Sequence, residues 1–424
     1  MKLKILKSLV RRTPKLVKRL LEFFVAMPIG FLRIFIRKDP CLVFFLLGGR
    51  KGFSDNPKYF YLYLIQRRKK EKIPIRFFWI AFSEKVHRNL KRLGYPVIRF
   101  KDLFGKRMNL LLRGSWIISS GGKNFIFSFV LGYRVIFLWH GVGMKKIAFL
   151  TVRKHEEKGL SRIKKLLSWV FLDPQRFIPA NVILVTSDFF YKVFKAALVT
   201  NKQTVFIIDN YPRNEALISS IAGEDIFAAK IPADVGEKIV VYAPTVRGRN
   251  WISEVFTFDN LHRLEKVLEK HNAVFIMKLH PWDYRLTISI RRYIKHRNTK
   301  RIILVDPSLD IYPLLRRTDV LISDYSSIWT DFLWVDKPII HFAFDYKQWK
   351  QRDAFIFPLE IGYAGPVVSS FDELLKTLDE VLSGLDHYKI RRCALRRIFF
   401  KKPPMHASER IYQILLNKVF RKCR

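Results

Sequence analysis

Cysteine is scarce in this chain, and its scarcity narrows the kinds of protein that the chain can be. Three cysteines, Cys41, Cys393 and Cys423, are spread over 424 residues and match no metal-binding spacing. An odd, sparse count is typical of a protein that folds in a reducing compartment without a disulfide framework. We therefore expect neither a disulfide framework nor a cysteine-bound metal.

Short motifs that bind common cofactors are also missing. The sequence contains no Walker loop, no His-Glu-x-x-His pair, no Asp-x-Asp diad and no cluster of Cys and His. Gly141 and Gly143 lack the third glycine of a dinucleotide-binding fingerprint. The sequence therefore requires neither a metal nor an organic cofactor.

No uncharged run near the start of the chain is long enough to cross a bilayer. The longest, Phe23 to Leu32, has ten residues and contains Pro28, whereas a span needs ~20. No small-residue cleavage site of a signal peptide follows. Residues 1–39 carry eleven Lys and Arg against two acids, interleaved with apolar residues. This pattern predicts a membrane-associating segment over residues 1–40; the alternative is a docked amphipathic helix whose cations face water.

Acidic residues are few compared with basic ones. The chain has 78 Lys and Arg but 36 Asp and Glu, for a formal net charge of +42. Such an excess favours polyanionic partners, which include nucleic acid, anionic lipid and phosphorylated substrates. Hydrophobic residues make up 49% of the chain, so it is not a disordered polybasic tail. A chain of this length predicts two or three domains with substantial cores.

From residue 41 onward, short apolar runs alternate with helical segments. Continuous apolar runs between helices are typical of parallel strands that are buried on both faces. The strands predicted for the first half are 41–47, 75–82, 97–100, 116–119, 135–139, 182–186 and 205–208. Those predicted for the second half are 239–242, 273–278, 302–305, 320–322 and 339–342.

This alternation predicts two consecutive doubly wound α/β domains with a cleft between them. We place the first domain at residues 41–220 and the second at residues 221–390. Residues 391–424 are predicted to end in a basic amphipathic helix.

His140 follows a predicted strand and precedes a glycine. A histidine at the carboxyl edge of a strand can project into a cleft as a general base. Lys145 and Lys146 add positive charge nearby for an anionic substrate. The alternative is a histidine whose hydrogen bonds are satisfied within its own loop.

Two more strand ends in the second half carry basic side chains. Arg247 follows the strand 239–242, and an arginine there can bind two phosphate oxygens at once. His280 follows the strand 273–278, and Pro281 restricts it to an extended conformation. For Arg247 the alternative is a solvated turn residue. Together with the next strand end, these residues should converge on one crevice.

The strand 320–322 is followed by a turn rich in helix-capping residues, namely Asp324, Ser326 and Ser327. Such a turn presents backbone N–H groups at the start of a helix, where the dipole favours an anion. The alternative is that these side chains only cap the helix.

With these residues placed, the sequence resembles the CDP-glycerol glycerophosphotransferase family of wall teichoic acid and capsule enzymes. The matching pieces occur in the family's order over roughly residues 55 to 415. They are Trp139-His-Gly-Val-Gly-Met-Lys-Lys146, Tyr211-Pro-Arg-Asn214, Tyr242-Ala-Pro-Thr-Val-Arg247, Lys278-Leu-His-Pro281, Ser323-Asp-Tyr-Ser-Ser327, Asp331, Lys337-Pro338 and Ala407-Ser-Glu-Arg-Ile411.

The resemblance implies a GT-B-type fold of two Rossmann-like domains, with the nucleotide bound mainly by the second. It also implies transfer of a glycerol phosphate group from CDP-glycerol to an acceptor hydroxyl, with release of CMP. The acceptor would be a lipid-linked or polymeric glycan of teichoic acid type. The basic N-terminal segment would hold such an enzyme peripherally at the cytoplasmic face of the membrane, against anionic lipid.

Roles for individual residues follow from the same resemblance. His140 looks like the base that deprotonates the acceptor. Arg247 and His280 look like the groups that hold the diphosphate and stabilise charge at the attacked phosphorus. The two serines would bind phosphate, and Asp331 would reach a ribose or glycerol hydroxyl.

The sequence departs from the family in the run His140-Gly-Val-Gly-Met-Lys145, which loses a hydroxyl and a proline, and at Asn210, where the family has glycine. Acceptor identity is therefore the property that transfers least. Three alternatives stay open, namely a ribitol-phosphate transferase using CDP-ribitol, a GT-B sugar-nucleotide glycosyltransferase, and a basic nucleic-acid-binding protein.

Overall fold

The structure of this protein is a computed structural model. It describes residues 24, 26–47, 52–121, 131–151, 180–230, 238–248, 251–351 and 355–423. Residues 1–23, most of the predicted membrane-associating segment, lie outside the described residues.

The chain divides into two compact units. The N-terminal unit comprises residues 1–140, 147–209 and 408–424, and the C-terminal unit comprises residues 141–146 and 210–407. The division falls at residue 210, eleven residues before residue 221, where the second domain was predicted to begin. The last helix of the chain belongs to the N-terminal unit again. Long-range packing determines this return, so the local sequence does not reveal it.

A seven-stranded parallel sheet forms the centre of the N-terminal unit. Its strands lie in the order β3-β2-β1-β4-β5-β6-β7. Their bounds are β1 Leu42–Leu46, β2 Arg76–Ala81, β3 Val97–Arg99, β4 Trp116–Ser119, β5 Arg134–Phe137, β6 Val182–Val185 and β7 Val205–Ile208. All residues of β1, β4 and β6 are buried, as the continuous apolar runs predicted.

A six-stranded parallel sheet forms the centre of the C-terminal unit, in the order β10-β9-β8-β11-β12-β13. Its strands are β8 Lys238–Tyr242, β9 Ala273–Met277, β10 Ile302–Leu304, β11 Val320–Ser323, β12 Ile339–Phe342 and β13 Val367–Val368. Every predicted strand of both halves is confirmed to within two residues at either end. Sequence reasoning missed β13, because two residues at a sheet edge give no periodic signal.

Helices connect the strands of both sheets. Their bounds are α1 26–35, α2 Asp55–Lys70, α3 Glu84–Arg92, α4 Met108–Arg113, α5 Asp188–Ala197, α6 Glu215–Ile218, α7 Trp251–Val255, α8 Phe258–Lys270, α9 Pro281–Tyr284, α10 Ile288–Arg297, α11 Tyr312–Leu315, α12 Ile328–Phe332, α13 Tyr346–Gln351, α14 Leu359–Gly362, α15 Phe371–Leu382, α16 Lys389–Phe399 and α17 Ala407–Lys418. Ser187, Thr257 and Ser370 cap α5, α8 and α15 with their hydroxyls, which satisfies backbone N–H groups that the first turn leaves over.

The cysteine pattern predicted no disulfide framework, but the structure contains one disulfide that the pattern did not predict. Cys41, just before β1, is bonded to Cys423 at a sequence separation of 382 residues, with 5.5 Å between their Cα atoms. The C-terminal segment packs on the N-terminal sheet, where the ring of Phe420 lies against Trp116. Sequence spacing cannot reveal a pair that tertiary packing brings together.

Helix α1 is docked by a buried arginine. Arg33 is 2% exposed and donates hydrogen bonds to the main-chain carbonyls of Leu111, Leu112, Gly114 and Leu131. Its guanidinium also lies 4.1 Å from the ring centre of Tyr133. The carbonyls compensate the burial of the charge, so this side of α1 belongs to the folded unit.

The opposite side of α1 is apolar and faces outward. The large hydrophobic side chains of this side, together with Phe24 just before the helix, are between 49% and 74% exposed, and they are Phe24, Met27, Phe31, Leu32, Ile34 and Phe35. Among the described residues, no helix is both long enough and apolar enough to span a membrane.

Candidate active site

Both sheets reverse their strand order once, at β1 and β4 in the N-terminal unit and at β8 and β11 in the C-terminal unit. In doubly wound sheets, ligands bind outside the carboxyl ends of the strands at this reversal. The predicted site residues follow β5, β8, β9 and β11, which lie at or beside these two points. The topology therefore supports the strand ends as the place of chemistry in each unit.

His140 is exposed just after β5. Its Nδ1 lies 2.9 Å from the main-chain oxygen of Ser120, which follows β4. A carbonyl oxygen only accepts hydrogen bonds, so Nδ1 carries the proton of the neutral ring and Nε2 keeps its lone pair. The ring also stacks on Trp139, with 4.6 Å between ring centres. This tautomer is the one that a general base acting through Nε2 needs.

Asn56, which sequence reasoning had not assigned to the site, holds the turn that carries His140. Its fully buried side-chain amide donates to the main-chain oxygens of Leu138 and Trp139, at 3.0 and 2.9 Å. Trp139 has a φ of 56°, a region that bulky residues rarely adopt. The amide therefore stabilises a strained backbone immediately before the histidine. The only signal in the sequence was the turn-forming pair Asn56-Pro57.

The residues after His140 pack within the C-terminal unit. Gly141 has a φ of 115°, and a Cβ there would lie 2.7 Å from Oγ of Ser327 and 2.6 Å from Nη2 of Arg213. Only glycine fits at this position. The next carbonyl, that of Val142, accepts a 2.7 Å hydrogen bond from the hydroxyl of Thr330. The loop is thereby held against the turn that precedes α12.

The turn after β11 is shaped by Asp324. This buried carboxylate accepts hydrogen bonds from the main-chain N–H groups of Thr245, at 2.8 Å, and of Ser326, at 3.0 Å. Ser327 precedes α12 without capping it through its side chain. Ser326 and Ser327 are both partly exposed. Asp324 therefore fixes the backbone of the turn, whereas Ser326 and Ser327 are its partly exposed residues.

Arg247 lies inside a network of ion pairs, with its side chain 6% exposed. Nη1 is 2.6 Å from Asp324, while Nε and Nη2 bind both oxygens of Asp345 at 2.8 and 2.9 Å. Burial by itself would lower the pKa of Arg247, but Asp324 and Asp345 outweigh it and raise the pKa. Burial likewise favours a raised pKa for Asp345, yet the hydrogen bonds from Arg247 lower it. Both groups are therefore charged, and they neutralise each other.

Two further side chains complete this network. Asp283 is fully buried and accepts hydrogen bonds from the main-chain N–H groups of Arg247 and Gly248, at 3.1 and 2.8 Å. Lys145 donates to the hydroxyl of Thr245 at 3.1 Å. Burial lowers the pKa of Lys145, and the charge of Arg247 acts in the same direction against the attraction of Asp324. The ends of β8, β9 and β11 are thus joined through one polar cluster.

His280 is partly exposed after β9, in the extended conformation that Pro281 predicted, with φ −64° and ψ 149°. Its Nδ1 accepts a 3.3 Å hydrogen bond from the main-chain N–H of Trp282. An N–H group only donates, so the neutral ring carries its proton on Nε2. His280 is therefore a hydrogen-bond donor through Nε2, the opposite of His140.

Asp331 lies in a buried polar network within α12. One oxygen is 2.5 Å from Nη2 of Arg213 and 2.7 Å from the hydroxyl of Tyr312, and the other accepts a 3.2 Å hydrogen bond from Asn214. The residue is fully buried. The carboxylate thus orients Arg213, whose guanidinium borders Gly141.

The structure brings most of the predicted C-terminal residues together. Lys145, Arg247, Asp324 and Ser326 are linked through shared hydrogen-bond partners, with Lys146 next in the chain and partly exposed. Sequence reasoning missed Asp283, Asp345 and Arg213. Their signal was weak, because an aspartate after a strand and an arginine in a Tyr-Pro-Arg-Asn turn are also common on protein surfaces.

This chain belongs to the CDP-glycerol:poly(glycerophosphate) glycerophosphotransferase family, which it matches over residues 30–417. It is therefore a transferase of polyol phosphate groups, and the resemblance drawn from its motifs is confirmed.

Its similarity to individual proteins spans both kinds of polyol. It is 26% identical to the teichoic acid ribitol-phosphate polymerase TarK of Staphylococcus aureus, over 89% of this chain and 68% of that protein. It is 29% identical to the ribitol-phosphate polymerase TarL of the same species, over 58% of this chain and 42% of that protein. It is 22% identical to a teichoic acid glycerol-phosphate transferase of S. aureus, over 94% and 98%.

Among solved structures, the wall teichoic acid polymerase TagF has the same fold. The TM-score is 0.71 at 19% sequence identity, over 98% of this chain and 99% of the TagF chain. A TagF structure soaked with CDPG gives 0.71 at 18% identity. The predicted GT-B-type fold of two parallel α/β sheets is confirmed.

Proposed function

We propose that this enzyme transfers glycerol phosphate from CDP-glycerol to a hydroxyl of a lipid-linked or polymeric acceptor of teichoic acid type, releasing CMP. Family membership and the glycerol-phosphate transferase among its relatives support this donor. CDP-ribitol is the second candidate donor, because TarK and TarL are ribitol-phosphate polymerases and are 26% and 29% identical to this chain.

The observation that best supports the proposal is that His140 and His280 have opposite tautomers. His140 has a free lone pair on Nε2, whereas His280 has a proton there. The acceptor hydroxyl gives its proton to Nε2 of His140 while its oxygen attacks the phosphorus that bears the polyol. The bond from that phosphorus to the bridging oxygen breaks, and CMP leaves with the electron pair. The Nε2–H group of His280 donates to an oxygen of the diphosphate, where negative charge increases in the transition state.

We assign the remaining residues by their exposure and pairing. Ser326, Ser327, Lys145 and Lys146 bind the diphosphate, since small hydroxyls and cations beside a helix start favour an anion. The guanidinium of Arg247 is bound to Asp324 and Asp345. It can therefore bind a phosphate only if the phosphate replaces one of these two carboxylates.

Two predicted substrate-binding residues take a supporting role in this proposal. Asp324 and Asp331 are fully buried and hydrogen-bonded to protein groups. We therefore propose that Asp324 positions the turn of Ser326 and Ser327, called the serine turn below. Asp331 would position Arg213, and neither carboxylate would bind a hydroxyl of the substrate.

The proposed location is peripheral, at the cytoplasmic face of the membrane. The outward side of α1 exposes six large apolar side chains, a patch of the kind that marks an interaction surface. The preceding residues 1–23 contain eight Lys and Arg, each worth ~1 kcal/mol near an anionic leaflet. An apolar helix after a basic segment fits an anionic lipid interface.

Donor screening tests the transfer itself. The enzyme is incubated with CDP-glycerol, CDP-ribitol, a UDP-sugar and a GDP-sugar, and the released nucleotides are identified. The proposal expects CMP from the CDP-polyols and no UDP or GDP. Release of a nucleoside diphosphate would instead indicate a glycosyltransferase, and release of nothing would contradict both readings.

Liposome co-sedimentation tests the location. Arg33 anchors α1 to the folded unit, so deleting the helix would disturb the fold. The test variant therefore keeps the helix and changes only its outward face, by Phe31→Ser, Ile34→Ser and Phe35→Ser. The control is Ile361→Ser with Ile390→Ser, which removes apolar side chains that are 64% and 87% exposed elsewhere. We expect only the α1 variant to lose binding to anionic vesicles. Equal recovery of both variants would refute a membrane role for this face.

A further inference from the structure

A basic cavity lies on the N-terminal unit, at the edge of its sheet formed by β3. The cavity has a volume of about 470 Å³ and is lined by Glu84, His87, Arg88, Lys91, Arg92 and Arg99. Five of these residues lie on one face of α3, and Arg99 is the last residue of β3. Four permanent cations thus surround one carboxylate in a concave site that the proposed reaction does not use.

The cations of this cavity differ in their pairing. Arg99 is 2.9 Å from Asp102 and 3.7 Å from Glu84. Arg88, Lys91 and Arg92 are exposed and form no ion pair with any residue that the structure describes. The positive charge of α3 is therefore not neutralised by the protein, which makes the cavity attractive to an anion.

His87, in the wall of the cavity, also supports the binding of an anion there. Its Nδ1 is buried and finds no hydrogen-bond partner within the described part of the chain, and the nearest carboxylate oxygen, on Glu84, is 3.7 Å away. Burial lowers the pKa of His87, and the positive charge of Arg99 lowers it further. Of these two causes, only the positive charge of Arg99 also favours a negatively charged ligand, because burial by itself disfavours any charge.

The position of the cavity separates it from the apolar side of α1. Arg33 of α1 binds carbonyls of residues that precede β4 and β5, so α1 docks at the amino edge of the sheet. Arg99 and the start of α3 lie at the carboxyl edge, the edge that also carries His140. Within the sheet, four strand spacings of ~4.8 Å, about 20 Å in all, separate β3 from β5.

We propose that this cavity binds phosphodiester groups of an acceptor chain, several repeats away from the end that receives the new group. The inference rests on the proposed function and adds a second binding site to it. A polyol phosphate chain repeats one negative charge per unit, and a cluster of three unpaired cations matches such a repeat rather than a single neutral sugar. The site would hold a growing polymer along the same sheet edge as the base.

The test compares two triple variants that remove the same charge from the same unit. The first is Arg88→Gln with Lys91→Gln and Arg92→Gln. The control is Arg68→Gln with Lys69→Gln and Lys70→Gln, at the exposed end of α2. The probes are glycerol 3-phosphate, a long poly(glycerol phosphate) chain and vesicles with an anionic phospholipid.

We expect the cavity variant to bind the long chain about tenfold more weakly, since exposed ionic contacts contribute ~0.5 kcal/mol each. Its KM for long acceptors should rise by the same factor with kcat unchanged, while short acceptors and the control variant show no change. Equal weakening in both triple variants, or equal weakening for short and long acceptors, would overturn the proposal.

Two further outcomes separate this inference from the other proposals. Loss of vesicle binding without loss of polymer binding would assign the cavity to a lipid headgroup and overturn it as a polymer site. Binding of the polymer is measured without a donor. It therefore tests the cavity even if the CDP-polyol reaction fails. The inference fails if poly(glycerol phosphate) binds both variants and the unmodified enzyme equally.

Discussion

The two units of this enzyme share a doubly wound parallel sheet but treat the ends of their strands differently. In the N-terminal unit, His140 is exposed and held by uncharged groups, namely the carbonyl of Ser120 and the turn that Asn56 supports. In the C-terminal unit, the equivalent place is filled by buried charges around Arg247 and Asp324. One fold therefore presents an exposed imidazole at one set of strand ends and a buried ionic network at the other.

The difference fits the roles that we propose for the two sites. A base must exchange a proton with a substrate, so its ring has to reach solvent and must not be held by a permanent charge. A turn that binds diphosphate must keep its N–H groups aimed in one direction before the ligand arrives. Buried aspartates that accept hydrogen bonds from the backbone, as Asp283 and Asp324 do, provide this rigidity.

The largest expected effect comes from His140→Ala. Loss of a positioned base should reduce the rate of transfer by ~10²–10⁴-fold, with little change in donor affinity. The measurements are CMP release and donor binding by calorimetry. Since His140 is exposed, the free energy of unfolding should stay the same. His387→Ala, at another exposed histidine, is the control, and full activity of His140→Ala would remove the base assignment.

Arg247→Met should have the opposite profile, with a large effect on stability. It leaves the buried Asp324 and the partly buried Asp345 without their arginine, and removing one partner of a buried pair costs about 3–5 kcal/mol. Urea unfolding measures this loss, and Asp345→Asn added to Arg247→Met should recover part of it. If Arg247→Met weakens donor binding but not stability, the guanidinium contacts the phosphate directly and the ionic network is not its main role.

Asn56→Ala should weaken catalysis through the position of His140. Two buried carbonyls lose their donor, which costs about 1–3 kcal/mol, and the strained turn at Trp139 is no longer held. We expect kcat to fall about 10- to 100-fold while the donor KM stays constant. Asn56→Asp should be as poor, because a carboxylate cannot donate to a carbonyl. A normal kcat in either variant would show that the turn does not need this amide.

The smallest effect concerns pH and the C-terminal unit. His341 is fully buried beneath the serine turn, and burial lowers its pKa from 6.5 to about 4. Between these values the unfolded chain binds a proton that the folded chain does not, so stability falls as the pH drops below 6.5. The loss should be about 2 kcal/mol between pH 7 and pH 5.

His341→Gln checks this origin. Its amide oxygen can accept the N–H of Ala364 as the imidazole does at 3.0 Å, but it does not titrate. The variant should unfold with a flatter dependence on pH over the same range. An unchanged slope would assign the acid sensitivity to other groups.

Much of this architecture is determined by local sequence. Continuous apolar runs such as Leu42–Leu46 and Ala273–Met277 must be buried on both faces, and a parallel sheet covered by helices is the arrangement that allows it. The residues after such runs then fall at the carboxyl edge, which is why the strand-end positions of His140, Arg247 and His280 could be predicted from the sequence. Pro281 determined the extended backbone of His280 by its own ring.

Only the tertiary structure decided how those residues are paired. No pattern in the sequence joins Arg247 to Asp345, 98 residues away, or Asp331 to Arg213, 118 residues away. It also decided that Cys41 meets Cys423 and that Arg33 is buried against carbonyls while the apolar side of α1 is exposed. Local sequence controls backbone conformation because the forces are short-ranged, whereas charge pairing and burial depend on neighbours that the folded chain supplies from a distance.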